Sequence, residues 1–95
     1  MYGLIGKIKA VSGQRDALIS ILIDGAKDMP GCQSYIVAQD QSDQDAIWVT
    51  EVWDDKASHQ KSLSLASVQE AIRLGKPLID GFEERFETIP LGGID

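Results

Sequence analysis

The amino-acid sequence predicts an α+β domain in which one antiparallel sheet carries its helices on a single face. Two observations lead to this prediction. Segments with strand and helix patterns alternate in the order β-α-β-β-α-α-β along 95 residues. In addition, the segment Ile47-Trp48-Val49-Thr50-Glu51-Val52-Trp53 is largely apolar on both of its alternating faces, as expected of a strand covered on both sides.

The first strand and the first helix follow from two different apolar periodicities. Apolar side chains alternate from Tyr2 to Val11, which predicts a strand. Ser12-Gly13 ends this strand and can cap the helix that follows. From Gln14 to about Asp28 apolar residues recur at helical spacing, and Met29-Pro30-Gly31 then breaks the helix.

The middle of the chain predicts a hairpin followed by a short helix. The two strands of the hairpin run from Cys32 to Asp40 and from Ala46 to Asp54, with a polar turn between them. Asp54-Asp55 can cap a short helix from Lys56 to Leu65, because an Asp side chain accepts a hydrogen bond from the first free amides of a helix.

The last third predicts a second helix and a closing strand. Ser67-Val68-Gln69-Glu70 matches a capping box at a helix start. Pro77 should kink or end this helix, since it removes a backbone donor, and Gly81 can serve as its C-terminal cap. We predict the last strand from Phe82 to Pro90 and a loose tail over 91–95.

Merging the two short helices gives βαββαβ, the ferredoxin-like order, within a single domain spanning 1–95. All helices then cover one face of the sheet, and the other face, which includes Trp48, needs a different cover. The simplest cover is a second copy of the same face. We therefore expect a homodimer that forms through its sheet faces, with Trp48 in the interface.

Composition narrows the class of partners. A net charge of −6 and scattered Lys and Arg residues disfavour nucleic acid and anionic membranes. No apolar run approaches a membrane span, and the N-terminus lacks the charged start of a signal peptide, so we expect a cytoplasmic protein. The single Cys32 excludes an intramolecular disulfide and is expected to be a buried thiol.

Three candidate site residues lie within nine positions. Glu51 and Trp53 share one face of the third strand, where a buried carboxyl should have a raised pKa and could act as a base. His59 follows on the next helix and could move a proton near neutral pH. Each has an ordinary alternative: an ion-paired structural Glu, a core or rim Trp, and a surface His.

Further residues could complete a pocket between the sheet and the helices, although packing, or solvation of a helix charge for Arg73, is the favoured explanation of each. They are Tyr35, Arg73, Phe82 and Phe86. A zinc site is not predicted, because one His and one Cys stand at distant positions. No glycine-rich phosphate loop is present, which argues against a tightly held nucleotide.

The sequence resembles the antibiotic biosynthesis monooxygenase family, in particular its small quinol monooxygenase type. The most specific feature is a strand with Glu51 and Trp53 followed by a nearby His59, and the likeness extends over almost the whole chain. The remaining resembling segments are Gly13-Gln14-Arg15-Asp16, Met29-Pro30-Gly31-Cys32-Gln33-Ser34-Tyr35, Ala57-Ser58-His59, Ser62-Leu63, Pro77-Leu78-Ile79, Gly81-Phe82, Glu87-Thr88-Ile89-Pro90 and Gly92-Gly93.

The resemblance implies a dimeric ferredoxin-like fold with a ligand cavity in each subunit. It also implies oxygenation of a quinol- or anthrone-like aromatic by O2 without a prosthetic group, so no cofactor is expected. On that scheme Trp53 stacks on the ring and His59 or Glu51 takes a proton. Tyr35 or Arg73 orients or stabilises the anion, and Phe82 contributes to the pocket.

The resemblance does not extend to the haem-degrading relatives. Those proteins carry an Asn on the first strand and a His in the last helical region, and here Gly6 and Ile72 stand near those places. Two other functions remain open, since a fold does not fix an activity. One is a non-catalytic dimer that binds a small aromatic ligand, and the other is an isomerase of a small metabolite.

Overall fold

The computed structural model describes residues 1–93 and contains four strands and three helices. The strands are β1 Tyr2–Ala10, β2 Cys32–Gln39, β3 Ala46–Trp53 and β4 Ile79–Thr88. The helices are α1 Arg15–Gly25, α2 Lys56–Ser62 and α3 Ala66–Gly75, and a short 3-10 turn, Lys76–Leu78, joins α3 to β4. The predicted element order is therefore confirmed.

The four strands form one antiparallel sheet in the order β2-β3-β1-β4. β1 lies between β3 and β4, so the N-terminal and C-terminal strands are direct neighbours. Paired residues share a face of the sheet, and the row Tyr35, Glu51, Leu4 and Glu87 runs across all four strands. This arrangement confirms the predicted α+β, ferredoxin-like fold.

The core lies between this sheet face and the helices. One buried cluster joins Ala10, Leu18, Ile47 and Val49, and a second joins Tyr2, Leu4 and Trp53. Helix α1 approaches α3 so closely at Gly25 that a Cβ atom there would lie 2.5 Å from the Cβ of Ala71. Glycine at this position therefore permits the close helix pairing.

The predicted limits of α1 are wrong at both ends. Ser12-Gly13 does not cap the helix, because Gly13 adopts a positive φ of 79° in a turn, and Gln14 occupies the cap position without a side-chain bond. At the other end α1 stops at Gly25 rather than about Asp28. Asp28 has a φ of 52°, which the right-handed helix cannot accommodate.

Of the helix caps predicted in the rest of the chain, the one at the start of α2 is confirmed and the other two are wrong. Asp55 caps α2 by accepting a hydrogen bond from the backbone N–H of Ser58. The capping box at Ser67 does not form, because α3 begins one residue earlier and Leu65 holds the cap position. Gly81 is not a helix cap either: it lies within β4, which begins at Ile79 immediately after the 3-10 turn.

The sheet face opposite the helices carries apolar side chains that are half-buried or exposed. Ile36 and Phe86 expose 57% and 52% of their surface. Trp48 is half-buried, and its Nε1 donates a hydrogen bond of 2.7 Å to Asp40 Oδ1. This bond, the backbone N–H groups of Asp43 and Ser42, and the positive charge of Lys7 lower the pKa of Asp40 to about 2.

The chain beyond β4 has no regular secondary structure as far as Gly93. Of the predicted loose tail, Ile94 and Asp95 lie outside the described residues. Over residues 1–93, none of the helices combines the length and the apolar character that crossing a bilayer requires.

Candidate functional site

A cavity of about 720 Å³ lies between the sheet and the helices. Its helical side is lined by apolar or small residues of α1 and α3, and its sheet side carries the polar groups. Five of the seven predicted site residues border it, namely Tyr35, Glu51, Trp53, His59 and Phe82. The prediction for Phe86 is wrong, because Phe86 pairs with Ile5 on the opposite face of the sheet. The structure thus brings residues from β2, β3, α2 and β4 to one cavity.

Glu51 lies at the sheet side of this cavity, between Tyr35 on β2 and Leu4 on β1. Only 16% of its side chain is exposed. Its Oε1 accepts a 3.0 Å hydrogen bond from Trp53 Nε1. Burial raises the pKa of Glu51, and the Trp53 bond, His59 and Arg85 act in the opposite direction. The carboxyl group is therefore held in one orientation with an increased proton affinity.

His59 faces Glu51 from helix α2. Its Nε2 lies 4.0 Å from Glu51 Oε1, and 16% of its side chain is exposed. This separation exceeds a direct hydrogen bond, but a single ligand oxygen about 2.8 Å from each atom could bond to both. The capped start of α2 fixes where His59 enters the cavity, since Asp55 follows β3 by only two residues.

Two aromatic rings hold the imidazole of His59. The Trp53 ring lies 5.4 Å away in an edge-on arrangement, and the Tyr2 ring lies 5.8 Å away. Tyr2 in turn donates a 2.6 Å hydrogen bond from its hydroxyl to Glu87 Oε2 on β4, and Lys56 lies 3.4 Å from the same oxygen. These contacts limit the movement of the His59 imidazole toward β1.

Sequence reasoning missed Tyr2 and Glu87. The alternation of Tyr2 with Leu4 on β1 indicates the helix-side face, and this signal could have placed Tyr2 in the core. Its pairing with Glu87 depends on the register of β1 against β4, between residues 85 positions apart. No local pattern in the sequence reveals that register.

Trp53 is first of all a core residue, with 1% of its surface exposed. Its ring packs with Tyr2, Leu4, Met29 and Cys32. An aromatic ligand would need these side chains to move before it could stack on the indole face. Cys32 is only half-buried, and burial raises the pKa of its thiol.

Tyr35 and Phe82 border the cavity at different depths. Tyr35 is half-buried beside Glu51, and burial together with the charge of Glu51 raises the pKa of its hydroxyl. Phe82 is 75% exposed on β4, so it lies at the rim of the cavity rather than in its interior.

Arg73 does not reach the cavity. It lies on the exposed side of α3, and its guanidinium donates to both carboxyl oxygens of Glu70. The three-residue spacing of Glu70 and Arg73 places both on the same outer stripe of the helix. The predicted ligand contact of Arg73 therefore has no geometric support. Across residues 1–93, no group of three or more His, Cys, Asp or Glu side chains could hold a metal ion.

Replacing Glu51 with Gln should change how stability depends on pH. Because burial raises the pKa of Glu51 above its ordinary 4.5, the folded protein holds the carboxyl proton to a higher pH than the unfolded chain. Native stability therefore falls as pH rises between the two pKa values. Relative to the wild type, Glu51→Gln should gain stability between about pH 4 and pH 7, since the amide cannot ionise.

Urea unfolding at both pH values measures this difference. Glu83→Gln provides a matched control, since Glu83 is an exposed carboxyl group outside the cavity lining. The expected result is a pH-dependent difference for Glu51→Gln and almost none for Glu83→Gln. Equal pH dependence in the two variants would show that Glu51 has no raised pKa in the folded protein.

Comparisons with known proteins agree with this fold. Residues 1–74 match the family described as antibiotic biosynthesis monooxygenase. A crystal structure from Chloroflexus aurantiacus J-10-fl, of a protein named after this family, is 63% identical. The match covers 99% of this chain and 96% of that one, with a TM-score of 0.97. No curated protein matches the sequence.

More distant structures share the fold. A protein from Deinococcus radiodurans named after the same family is 23% identical over 100% of this chain and 97% of its own, with a TM-score of 0.79. Another from Caulobacter crescentus CB15 is 14% identical over 96% and 90%, with a TM-score of 0.86. Given the match over residues 1–74 and the 63% identity to a protein named after the family, this chain belongs to the antibiotic biosynthesis monooxygenase family.

Proposed function

We propose that the protein is a small monooxygenase that oxidises a quinol- or anthrone-like aromatic with O2 and uses no cofactor. The observation that carries the proposal is the pair of Glu51 and His59, 4.0 Å apart, on the polar side of a mainly apolar cavity. The apolar walls suit a fused aromatic ring, and the pair can exchange a proton with a ring hydroxyl.

The proposed reaction needs no reductant other than the substrate itself. A hydroxyl of the substrate gives its proton to the base, and the resulting anion transfers one electron to O2. The superoxide and the substrate radical then join through a new C–O bond, which gives a hydroperoxide. When the O–O bond breaks and water leaves, one oxygen atom stays on the ring. A naphthohydroquinone and O2 thus give a hydroxynaphthoquinone and water.

In this proposal His59 is the base and Glu51 its partner. When His59 accepts the proton of the substrate hydroxyl, its imidazole becomes cationic. The Glu51 carboxylate, 4.0 Å away, stabilises that charge. Trp53 supports the step by orienting the Glu51 carboxyl group through its 3.0 Å hydrogen bond. Tyr35 and Phe82 contact the ligand from the sheet and from the rim, and the apolar side of the cavity excludes water from the anion.

The proposal includes a homodimer formed through the sheet faces opposite the helices. Ile36 and Phe86 each leave about half of their surface exposed on this face, between half-buried Ile5, Trp48 and Val52. A second copy of the same face would remove these side chains from water, and a two-fold axis makes such a face self-complementary. Light scattering would then give twice the chain mass of 10.4 kDa.

Oxygen consumption with a naphthohydroquinone tests the function. We expect the protein to accelerate oxygen uptake and to form a hydroxynaphthoquinone that carries one atom from isotopically labelled O2, with the other atom in water. Uncatalysed oxidation is the control, because it gives the unsubstituted naphthoquinone and hydrogen peroxide. Saturable ligand binding without product would contradict the monooxygenase and favour a ligand-binding dimer. Product formed under strict anaerobiosis would favour an isomerase.

A further inference from the structure

A recess of about 220 Å³ adjoins the main cavity at Gly6. On the helix side of the sheet Gly6 pairs with Val49 and with Arg85. A Cβ atom at Gly6 would meet only the backbone oxygen of Glu84, at 3.9 Å, so crowding does not require glycine here. The effect of Gly6 is to leave open the space that a side chain would otherwise fill.

The recess and the main cavity adjoin each other but have different polar residues in their linings. They share Ile8, Tyr35, Glu51 and Phe82. The recess also borders Lys7, Glu84 and Arg85. Among these three, Arg85 pairs with Gly6 and lies on the helix side of the sheet, whereas Lys7 and Glu84 pair with each other on the opposite face. The α1 and α3 residues that line the main cavity are apolar or small. A ligand that occupies both spaces would therefore place an apolar body beneath the helices and a polar substituent near Gly6.

The guanidinium of Arg85 has hydrogen-bonding capacity available for such a substituent. Its nearest carboxylate oxygen, Glu87 Oε1, lies 3.9 Å away, beyond a direct hydrogen bond. The other oxygen of Glu87 is already held by Tyr2 and Lys56. Burial raises the pKa values of Glu51 and Tyr2, and the positive charge of Arg85 lowers both, so this charge extends toward the cavity.

We propose that the recess at Gly6 binds a carboxylate substituent of the aromatic ligand through Arg85. This inference rests on the proposed function. A guanidinium can bond to both oxygens of a carboxylate, which fixes orientation as well as charge. The preferred substrate is then a hydroxylated aromatic acid rather than a neutral quinol. A carboxylate at Arg85 would place the ring beside Glu51, which borders both the recess and the main cavity.

Two ligands that differ only by the carboxylate test this inference. Binding of 1-hydroxy-2-naphthoate and of 1-naphthol is followed by quenching of tryptophan fluorescence, without any turnover. We expect the acid to bind at least about fivefold more tightly, a modest ratio because 61% of the Arg85 side chain is exposed to solvent. In Arg85→Gln the ratio should fall to about one, while affinity for 1-naphthol stays the same. Arg85→Lys should retain part of the preference.

Arg73→Gln is the matched control, because it removes the same charge from the outer side of α3. Its preference for the acid should equal that of the wild type. If the wild type binds 1-naphthol as tightly as the acid, or if Arg85→Gln keeps the preference, the inference is wrong and the aromatic cavity stands. If neither ligand binds, both the inference and the proposed ligand class fail.

Discussion

Oxygen uptake by the His59→Ala variant should be at least about 100-fold slower than that of the wild type, because general-base catalysis typically contributes 10²–10⁴-fold. In our proposal the imidazole takes the proton that initiates the reaction, and Glu51, 4.0 Å away, cannot easily replace it in the same position. Initial rates with a naphthohydroquinone measure the effect. Added imidazole should restore part of the rate, since truncation leaves a space beside Glu51.

Gln60→Ala is the control, because Gln60 is exposed on the same helix, one residue from His59. It should turn over at the wild-type rate. Circular dichroism of both variants would show whether α2 is intact. Wild-type turnover by a folded His59→Ala variant would rule out His59 as the base and leave Glu51 as the remaining candidate.

The Leu18→Ala variant should lose about 2–5 kcal/mol of unfolding free energy, the usual range for a buried Leu. Leu18 is completely buried between α1 and the sheet and belongs to the cluster of Ile47 and Val49. Native domains are stable by only about 5–15 kcal/mol, so the melting temperature should fall by roughly 4–8 °C for each kcal/mol lost. Urea and thermal unfolding measure both quantities.

Ile23→Ala is the matched control on the same helix. Half of the surface of Ile23 is exposed, so its truncation should destabilise the protein by less than about 1 kcal/mol. Similar losses in the two variants would mean that Leu18 does not anchor α1 to the sheet. Because Leu18 also borders the cavity, Leu18→Ala should be assayed for ligand binding only at temperatures where it is folded.

The two strongest sequence predictions depended on strand alternation. Glu51 and Trp53 are two residues apart on β3, so their side chains must point to the same face once the segment is a strand. The structure places both at the cavity, and their hydrogen bond joins neighbours on that face. His59 follows six residues later on a short capped helix, which limits how far it can lie from Glu51.

The orientation of Arg73 does not follow from the sequence in the same way. Its apolar neighbours on α3 line the cavity, but the Arg73 side chain points outward to Glu70. In a helix a shift of one residue rotates a side chain by about 100°. The sequence does not give the orientation of α3 against the sheet, so it cannot show whether Arg73 faces the cavity or the solvent.

The sequence by itself determined the element order, the two faces of β3 and the neighbourhood of Glu51, Trp53 and His59, because each depends on contacts between residues close along the chain. Only the tertiary structure decided which residues β4 brings beside β1. It places Glu87 at Tyr2 and Arg85 across from Gly6. That register depends on packing between segments some 80 positions apart, and a shift of one residue would turn every side chain of β4 to the other face.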